Sequence, residues 1–261
     1  MQSRYTNIID EVYRTFGKFA DAYEVDRKRF AFSLKLLDEQ HVIRGMRVLD
    51  VGCGIGIFAL ALSKLGAEVT GVDKFIFPHA VENPYKIKEF EALKRIWEKN
   101  GLRIIEGDVL APLPFRDGEF DLINCDATIE HLPYSPKSLF GEVKRVLRPG
   151  GIFLVTTPNF ANLLRRVRFL FGRSPQWDIK EYFDSGKDFT GHRREFTVQE
   201  LSSQLSWSGF DVCARYTRNS LFQWHRMFHP RKWIAQWFVF LSFPFPSTRE
   251  MIFILARTAS K

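Results

Sequence analysis

The stretch Arg47-Val48-Leu49-Asp50-Val51-Gly52-Cys53-Gly54-Ile55-Gly56 decides how the chain is read. Arg47 to Val51 is a short apolar run of the kind that fills a buried parallel strand. Three glycines at alternate positions follow at once and remove the Cβ atoms that would hold a ligand off the backbone. Ile57 to Leu65 has helical apolar spacing (Ile57, Leu60, Ala61, Leu65), and Gly66 stands where a helix ends in a left-handed residue. Glu68-Val69-Thr70-Gly71-Val72-Asp73 supplies a second strand tipped by a carboxylate. Strand, glycine loop, helix and strand together read as a nucleotide cradle in which Asp73 accepts hydrogen bonds from ribose hydroxyls. A dinucleotide loop wants Gly-x-Gly-x-x-Gly/Ala, and Ile57 occupies its third position, which counts against a nicotinamide cofactor. Asp50 ahead of the loop counts against it too, because a carboxylate attracts a cationic ligand and repels a diphosphate.

Outward from this unit, strands and helices alternate. Residues 1–45 read as a helical N-terminal cap with apolar positions at Phe16, Phe19, Ala20, Tyr23, Phe30, Leu34 and Leu37. Packing on the sheet is its main expected role, with Tyr5, Phe16 and Tyr23 as candidates to touch substrate. After an irregular stretch containing Pro78 and Pro84, the spacing predicts a helix over Lys88–Lys99 and strands over Arg103–Asp108 and Phe120–Cys125. Next come a helix with Ser135 as N-cap and Pro136 at its first position, and a strand over Ile152–Thr157. Residues 158–195 break the rhythm and read as an insertion over the carboxyl edge of the sheet, with an amphipathic helix over Asn159–Phe171. Thr197-Val198-Gln199-Glu200 is a capping box, and Phe210–Arg215 and Glu250–Arg257 are the last strands. The expected fold is α/β, a doubly wound and mostly parallel sheet over residues 46–261 behind the cap.

The 261 residues suffice for one domain with a substantial core. Cys53, Cys125 and Cys213 lie far apart, with neither a disulfide framework nor metal-ligand spacing, so a reducing cytoplasmic setting and no metal are expected. The N-terminus lacks a secretory apolar region, and the longest apolar stretch, Trp233 to Pro246, is broken by Gln236, Ser242 and prolines. The net charge of +8 favours acidic partners. In residues 221–246 Trp, Phe and Arg intermix, as in segments that lie in a lipid headgroup region, so an anionic membrane surface, on the inner face, is one expected partner. A core-packed cap or a dimer face fits the same residues, and the oligomeric state stays open. Nucleic acid ranks below these, since no recognised module accompanies the charge.

Five segments in order resemble class I S-adenosylmethionine (SAM)-dependent methyltransferases, and within them the type 11 group that acts on small molecules. They are Val48 to Gly56, Val72-Asp73, Gly107-Asp108-Val109, Phe120 to Ile123 with Glu130-His131-Leu132, and Leu147 to Gly151. The resemblance implies a Rossmann-like fold with SAM as cofactor, bound through Asp50, Gly52, Gly54, Gly56, Asp73, Asp108 and Val109. It further implies methyl transfer to a small-molecule acceptor, an oxygen for preference, with a lipid-linked or glycan precursor as one class. Asp121, at the strand end far from the cofactor, reads as structural. Methyl transfer is an in-line displacement that rests on positioning and desolvation, and it needs a base only for a poorly nucleophilic acceptor. His131, after the fourth strand, is one candidate base or else orients its loop; His192 is the other. Tyr23, Asn159 and Arg193 are candidate substrate contacts. The rival readings are a nicotinamide-dependent oxidoreductase and a non-catalytic methyltransferase-like binding protein.

Overall fold

The computed structural model describes residues 3–40, 43–75, 87–176, 178–186, 189–220 and 233–259. The cap begins with α1 (Arg4–Phe16), opened by the Ser3 hydroxyl accepting from the Thr6 amide and closed at Gly17, whose φ of 55° is left-handed. A 3₁₀ segment (Gly17–Asp26) leads into α2 (Arg27–Gln40). Then follow β1 (Arg47–Val51), α3 (Ile57–Lys64), β2 (Glu68–Asp73), α4 (Ile87–Lys99), β3 (Arg103–Glu106) and β4 (Phe120–Asp126). The second half runs α5 (Lys137–Val146), β5 (Leu147–Pro158), α6 (Leu163–Leu170), α7 (Ile179–Ser185), α8 (Val198–Trp207), β6 (Phe210–Arg218), α9 (Trp233–Leu241) and β7 (Met251–Thr258).

The seven strands form one sheet in the order β3-β2-β1-β4-β5-β7-β6. Every pair from β3 to β5 is parallel, while β7 enters antiparallel between β5 and β6. Six consecutive residues of β7, Met251 to Ala256, are buried, which is what a strand flanked on both sides and covered on both faces requires. Successive side chains alternate between the two layers. Val48, Leu122, Leu154, Phe253 and Leu255 join the cap, α3 and α4 in one apolar cluster. Leu49, Ile123, Phe153, Val155, Ile252 and Ile254 join α5 and α8 in the other. Strand order reverses between β1 and β4, so the crevice at their carboxyl ends is where a doubly wound sheet takes its ligand.

Several boundaries differ from the sequence reading. Pro136 is the N-cap of α5, not its first residue: its carbonyl takes the first helical hydrogen bond, from the Phe140 amide at 2.8 Å, and the Ser135 hydroxyl, one residue further out, accepts only a long bond of 3.4 Å from the Lys137 amide. β3 stops at Glu106, with the Gly107 amide donating the last ladder bond to the Asp73 carbonyl at 2.9 Å. The amphipathic helix starts four residues late, at Leu163, because Asn159 is buried among backbone carbonyls and Asn162 supplies the cap to the Arg165 amide. Asp121 accepts from the Arg47 amide at 2.8 Å and Arg148 Nε at 2.7 Å, pinning β1, β4 and β5 at their amino ends. Residues 221–232, a large part of the aromatic-basic segment, lie outside the described residues, as do Pro78, Pro84, His225 and His229. Among the described residues, no helix is long and apolar enough to cross a membrane.

The capping box is present in both directions. Thr197 Oγ1 accepts from the Glu200 amide, and Glu200 accepts from the Thr197 amide at 2.8 Å. Thr197→Ala removes one of these bonds and is expected to lower stability by about 1 kcal/mol, read as a fall in the urea midpoint with unchanged slope.

Candidate active site

Asp50 stands opposite Asn124 where β1 and β4 run side by side. Asn124 Nδ2 donates to Asp50 Oδ1 at 2.6 Å, and both residues are buried. Among the described residues, the other Asp50 oxygen and the Asn124 carbonyl oxygen have no hydrogen-bond partner. Burial pushes the Asp50 carboxyl up to about 7; the Asn124 bond opposes the shift, and the nearby Asp126 and Asp73 charges add to it. Two bare acceptors side by side, one of them anionic, form a receptor for a cationic donor. That is the fit expected for the ammonium of a methionine-derived cofactor, and it would not suit a diphosphate.

The glycine loop wraps over this point. The Gly52 and Cys53 amides both donate to the Val72 carbonyl, at 2.8 and 3.2 Å, which bends the chain off β1. Gly52 has φ of 69°, and a Cβ there would lie 2.2 Å from Thr128 Oγ1. Thr128 is itself held by the Asp126 carbonyl at 3.0 Å. A Cβ on Gly54 would meet the Tyr23 hydroxyl at 3.1 Å, so this cap residue, named as a substrate candidate, sits against the loop. Gly56 packs under Trp97, whose indole N–H donates to the Ile55 carbonyl at 2.8 Å. A Cβ on Gly56 would lie a tight 3.3 Å from that nitrogen, and the turn into α3 holds φ at 88°, which favours glycine.

Asp73 is mostly buried, with its carboxylate accepting from the Gly54 amide at 2.9 Å and the Phe75 amide at 2.6 Å. Burial pushes its carboxyl up against these two bonds. It therefore fixes the loop as well as standing at the ribose position. Asp108 pairs with Lys74 at 2.5 Å and accepts from the Leu110 amide at 2.9 Å. Burial acts to raise its carboxyl, but the Lys74 and Leu110 contacts prevail and hold it below the ordinary range. The Val109 side chain is buried in the cluster on the α5 and α8 side.

A second group gathers beyond β4. Glu130 and His131 lie on a 3₁₀ turn (Ile129–His131), and the insertion brings His192 against them, the two imidazoles packing edge to face with centroids 4.7 Å apart. His131 Nδ1 bonds the Thr190 carbonyl at 3.0 Å, and His192 Nδ1 bonds the buried Glu195 carboxylate. Arg165 of α6 grips the same carboxylate, with Nη2 to Oε1 at 2.6 Å. Burial would raise Glu195, but His192 and Arg165 outweigh it and hold the carboxyl low. Glu130 is 1 % exposed; Thr157 Oγ1 donates to its Oε2 at 3.1 Å, and its Oε1 has no partner among the described residues. Burial pushes Glu130 up to about 7, against the pull of His192 and Arg29. Arg29 of the cap ties the two groups together by pairing with Asp126, at the end of β4, at 2.8 Å.

One of the proposed substrate contacts, Asn159, is corrected. Asn159 is 1 % exposed, and its amide donates to the Ser247 and Arg249 carbonyls at 3.1 and 2.8 Å, so it clamps the entry to β7 and does not face a ligand. Arg193 turns its guanidinium back to the Phe189 carbonyl at 2.7 Å, while its amide donates to the Glu130 carbonyl at 2.8 Å; it fastens the insertion to the turn after β4. Sequence reasoning missed Asn124, Glu195, Arg165 and Arg29. Asn124 had a signal, as a polar residue inside an apolar strand run. The other three depend on pairings that only the fold creates.

Gly52→Ala combines a left-handed backbone with a clash against a tethered threonine. The expected cost is about 2–4 kcal/mol in urea unfolding, partly restored in Gly52→Ala/Thr128→Ala, where the overpacking is relieved and the backbone strain remains.

Comparison with known proteins converges on the same reading. The family model described as "Methyltransferase domain" matches residues 23–215. The ubiquinone biosynthesis O-methyltransferase of Pseudomonas aeruginosa (strain UCBPP-PA14) is 33% identical over 124 residues, 47% of this chain and 49% of that protein. A sterol 24-C-methyltransferase of Gibberella zeae is 32% identical over 158 residues, 58% of this chain and 39% of that protein. The chain thus spans about half the length, or less, of these curated relatives. Among solved structures, an S-adenosylmethionine-dependent methyltransferase from Mesorhizobium loti superposes with a TM-score of 0.58 at 18% identity, covering 89% of this chain and 97% of that one, and so shares the fold. With a family match over most of its length and the glycine loop, paired acceptors and strand order in place, the chain belongs to the methyltransferase-domain family.

Proposed function

We propose that the chain transfers a methyl group from SAM to an oxygen of a small-molecule acceptor, at the surface of an anionic membrane. The observation that carries the first half is the buried Asp50–Asn124 pair with its two bare acceptors beneath the glycine loop. Asp50 and Asn124 take the cofactor's ammonium, Asp73 its ribose, and Asp108 with the backbone at Val109 its adenine edge. Bound there, SAM supplies an electrophilic methyl on a sulfonium. The acceptor oxygen forms the new O–C bond as the S–C bond breaks, and the acceptor's hydroxyl proton must leave. His131 and His192 serve that proton. Each carries its Nδ1 hydrogen toward an oxygen, the Thr190 carbonyl and Glu195, which makes Nε2 the basic nitrogen of each ring. The oxygen acceptor draws further support from the Pseudomonas relative, which is named an O-methyltransferase.

The membrane half is supported by α6, α7 and the α9 end. Phe169, Leu170, Phe171, Ile179, Phe183 and Phe245 are exposed, and Arg166 and Arg168 share α6. Apolar rings beside arginines are the make-up of an interfacial surface. A lipid-linked or glycan precursor held at that surface is the acceptor class proposed. Three free thiols, at Cys53, Cys125 and Cys213, suit the reducing face of the membrane.

Two measurements test this. In calorimetric titration with SAM, affinity rises about tenfold per pH unit from pH 5.5 to 7 and levels off above it. The sign follows from Asp50: its carboxyl, raised to about 7, is protonated and unable to hold a cation below that pH, and charged above it. Asp50→Asn loses at least about tenfold in affinity, along with the pH dependence, while its thermal midpoint does not fall, since a buried charge has been removed. Binding of NADH in place of SAM overturns the reading. Separately, the protein floats with phosphatidylglycerol vesicles at low salt and is released as salt is raised. Protein that stays in the bottom fraction contradicts the membrane half.

A further inference from the structure

We infer that Glu130, His131 and His192 form a site for one divalent transition-metal ion, and that this ion receives the acceptor's hydroxyl oxygen. The ion-binding claim stands on the side chains alone; its use in the reaction rests on the oxygen-methylation reading above. One ligand atom from each of the three residues lies within 4.8 Å of the others. Donors about 2.0–2.2 Å from a common ion in tetrahedral coordination sit about 3.3–3.6 Å apart, so the three close by at most about 1.5 Å, within reach of side-chain rotation.

Three further features mark the group as built for an ion. Both imidazoles have Nδ1 anchored on an oxygen, the Thr190 carbonyl for His131 and the Glu195 carboxylate for His192, which is the outer-shell arrangement that turns Nε2 toward a metal. Glu195 is in turn held by Arg165, so the carboxylate that orients His192 is committed elsewhere and does not compete for the ion. Glu130 Oε1 is buried without a partner among the described residues. A bare carboxylate oxygen is costly in such a place, and a cation beside it removes the cost. Two imidazoles and one carboxylate suit zinc, cobalt or iron(II) and leave coordination positions open for a further ligand. With both Nε2 lone pairs on the ion, the histidines act as its ligands and the ion takes over the part given above to a histidine base: a hydroxyl oxygen entering there gives up its proton to solvent more readily. The O–H bond breaks, and its electron pair stays on the coordinated oxygen, which is then the nucleophile.

The test uses metal-stripped full-length protein, titrated calorimetrically with zinc chloride and, in parallel, with cobalt(II) followed by visible absorption. The inference predicts one ion per chain and a cobalt spectrum of low-symmetry nitrogen and oxygen ligation. Glu130→Gln and His192→Ala each weaken zinc binding by at least about 30-fold, and Glu195→Gln, which acts through His192, by about 10-fold. His225→Ala/His229→Ala leaves zinc binding intact, excluding capture by those histidines. SAM binding by His192→Ala stays within twofold of the parent, which serves as the check on folding should Glu130→Gln fail to fold. Absence of stoichiometric binding, or full binding in His192→Ala, overturns the inference. Zinc binding without methyl transfer would overturn the proposed function alone, and methyl transfer by an ion-free protein would overturn this inference alone.

Discussion

One buried hydrogen bond, 2.6 Å from the Asn124 amide to the Asp50 carboxylate, sets the terms for the rest of the site. It forms because β1 and β4 are parallel neighbours in a register that places these two residues opposite each other at the strand-order reversal. Their neighbours along the two strands, Leu49 and Val51 on β1 and Ile123 and Cys125 on β4, are buried and apolar, so the pair is cut off from water. A carboxylate there is expensive to ionise and satisfied on one side only. Selection for stability alone would replace it with an apolar pair. Its presence makes sense when a cation completes it, and the glycine bend directly above is what lets a ligand's charged end come that close.

The same logic recurs one strand-end further on. Glu130 is likewise buried, likewise half satisfied, and backed by histidines whose orientation is fixed from behind. The elements that fix them belong to the insertion. Arg193 anchors it to the Glu130 backbone, and Arg165 reaches from α6 to Glu195. α6 also carries the exposed Phe169 and Leu170, so the helix that faces outward and the histidine packed against His131 share one ion-pair network. The cap closes the arrangement from the other face through the Arg29–Asp126 pair and Tyr23 against the loop. Three segments distant in sequence are thereby held around the carboxyl ends of β1 and β4.

Local chemistry was readable from the chain, and long-range pairing was not. β1, β2 and the capping box of α8 appear where apolar runs, glycine and Thr197/Glu200 place them, because period and capping act over a few residues. The register that sets Asn124 beside Asp50, and the insertion that delivers His192 to His131, depend on contacts 74 and 61 positions apart, for which spacing carries no signal. Asn159 differs from its expected role for a related reason: a polar residue after a strand reads as ligand-facing, and only the fold brings the segment entering β7 beside it with carbonyls to satisfy. Glycine spacing was read correctly as a loop, yet Gly56 answers to Trp97, a residue of a helix that the motif does not include.

A crystal structure of the protein with S-adenosylhomocysteine bound tests the central claim most directly. The account predicts the ligand's amino group within hydrogen-bond distance of the Asp50 oxygen that otherwise lacks a partner, and its ribose hydroxyls on Asp73. A ligand lodged elsewhere, or one seated at the loop while that Asp50 oxygen still lacks a partner, would contradict it.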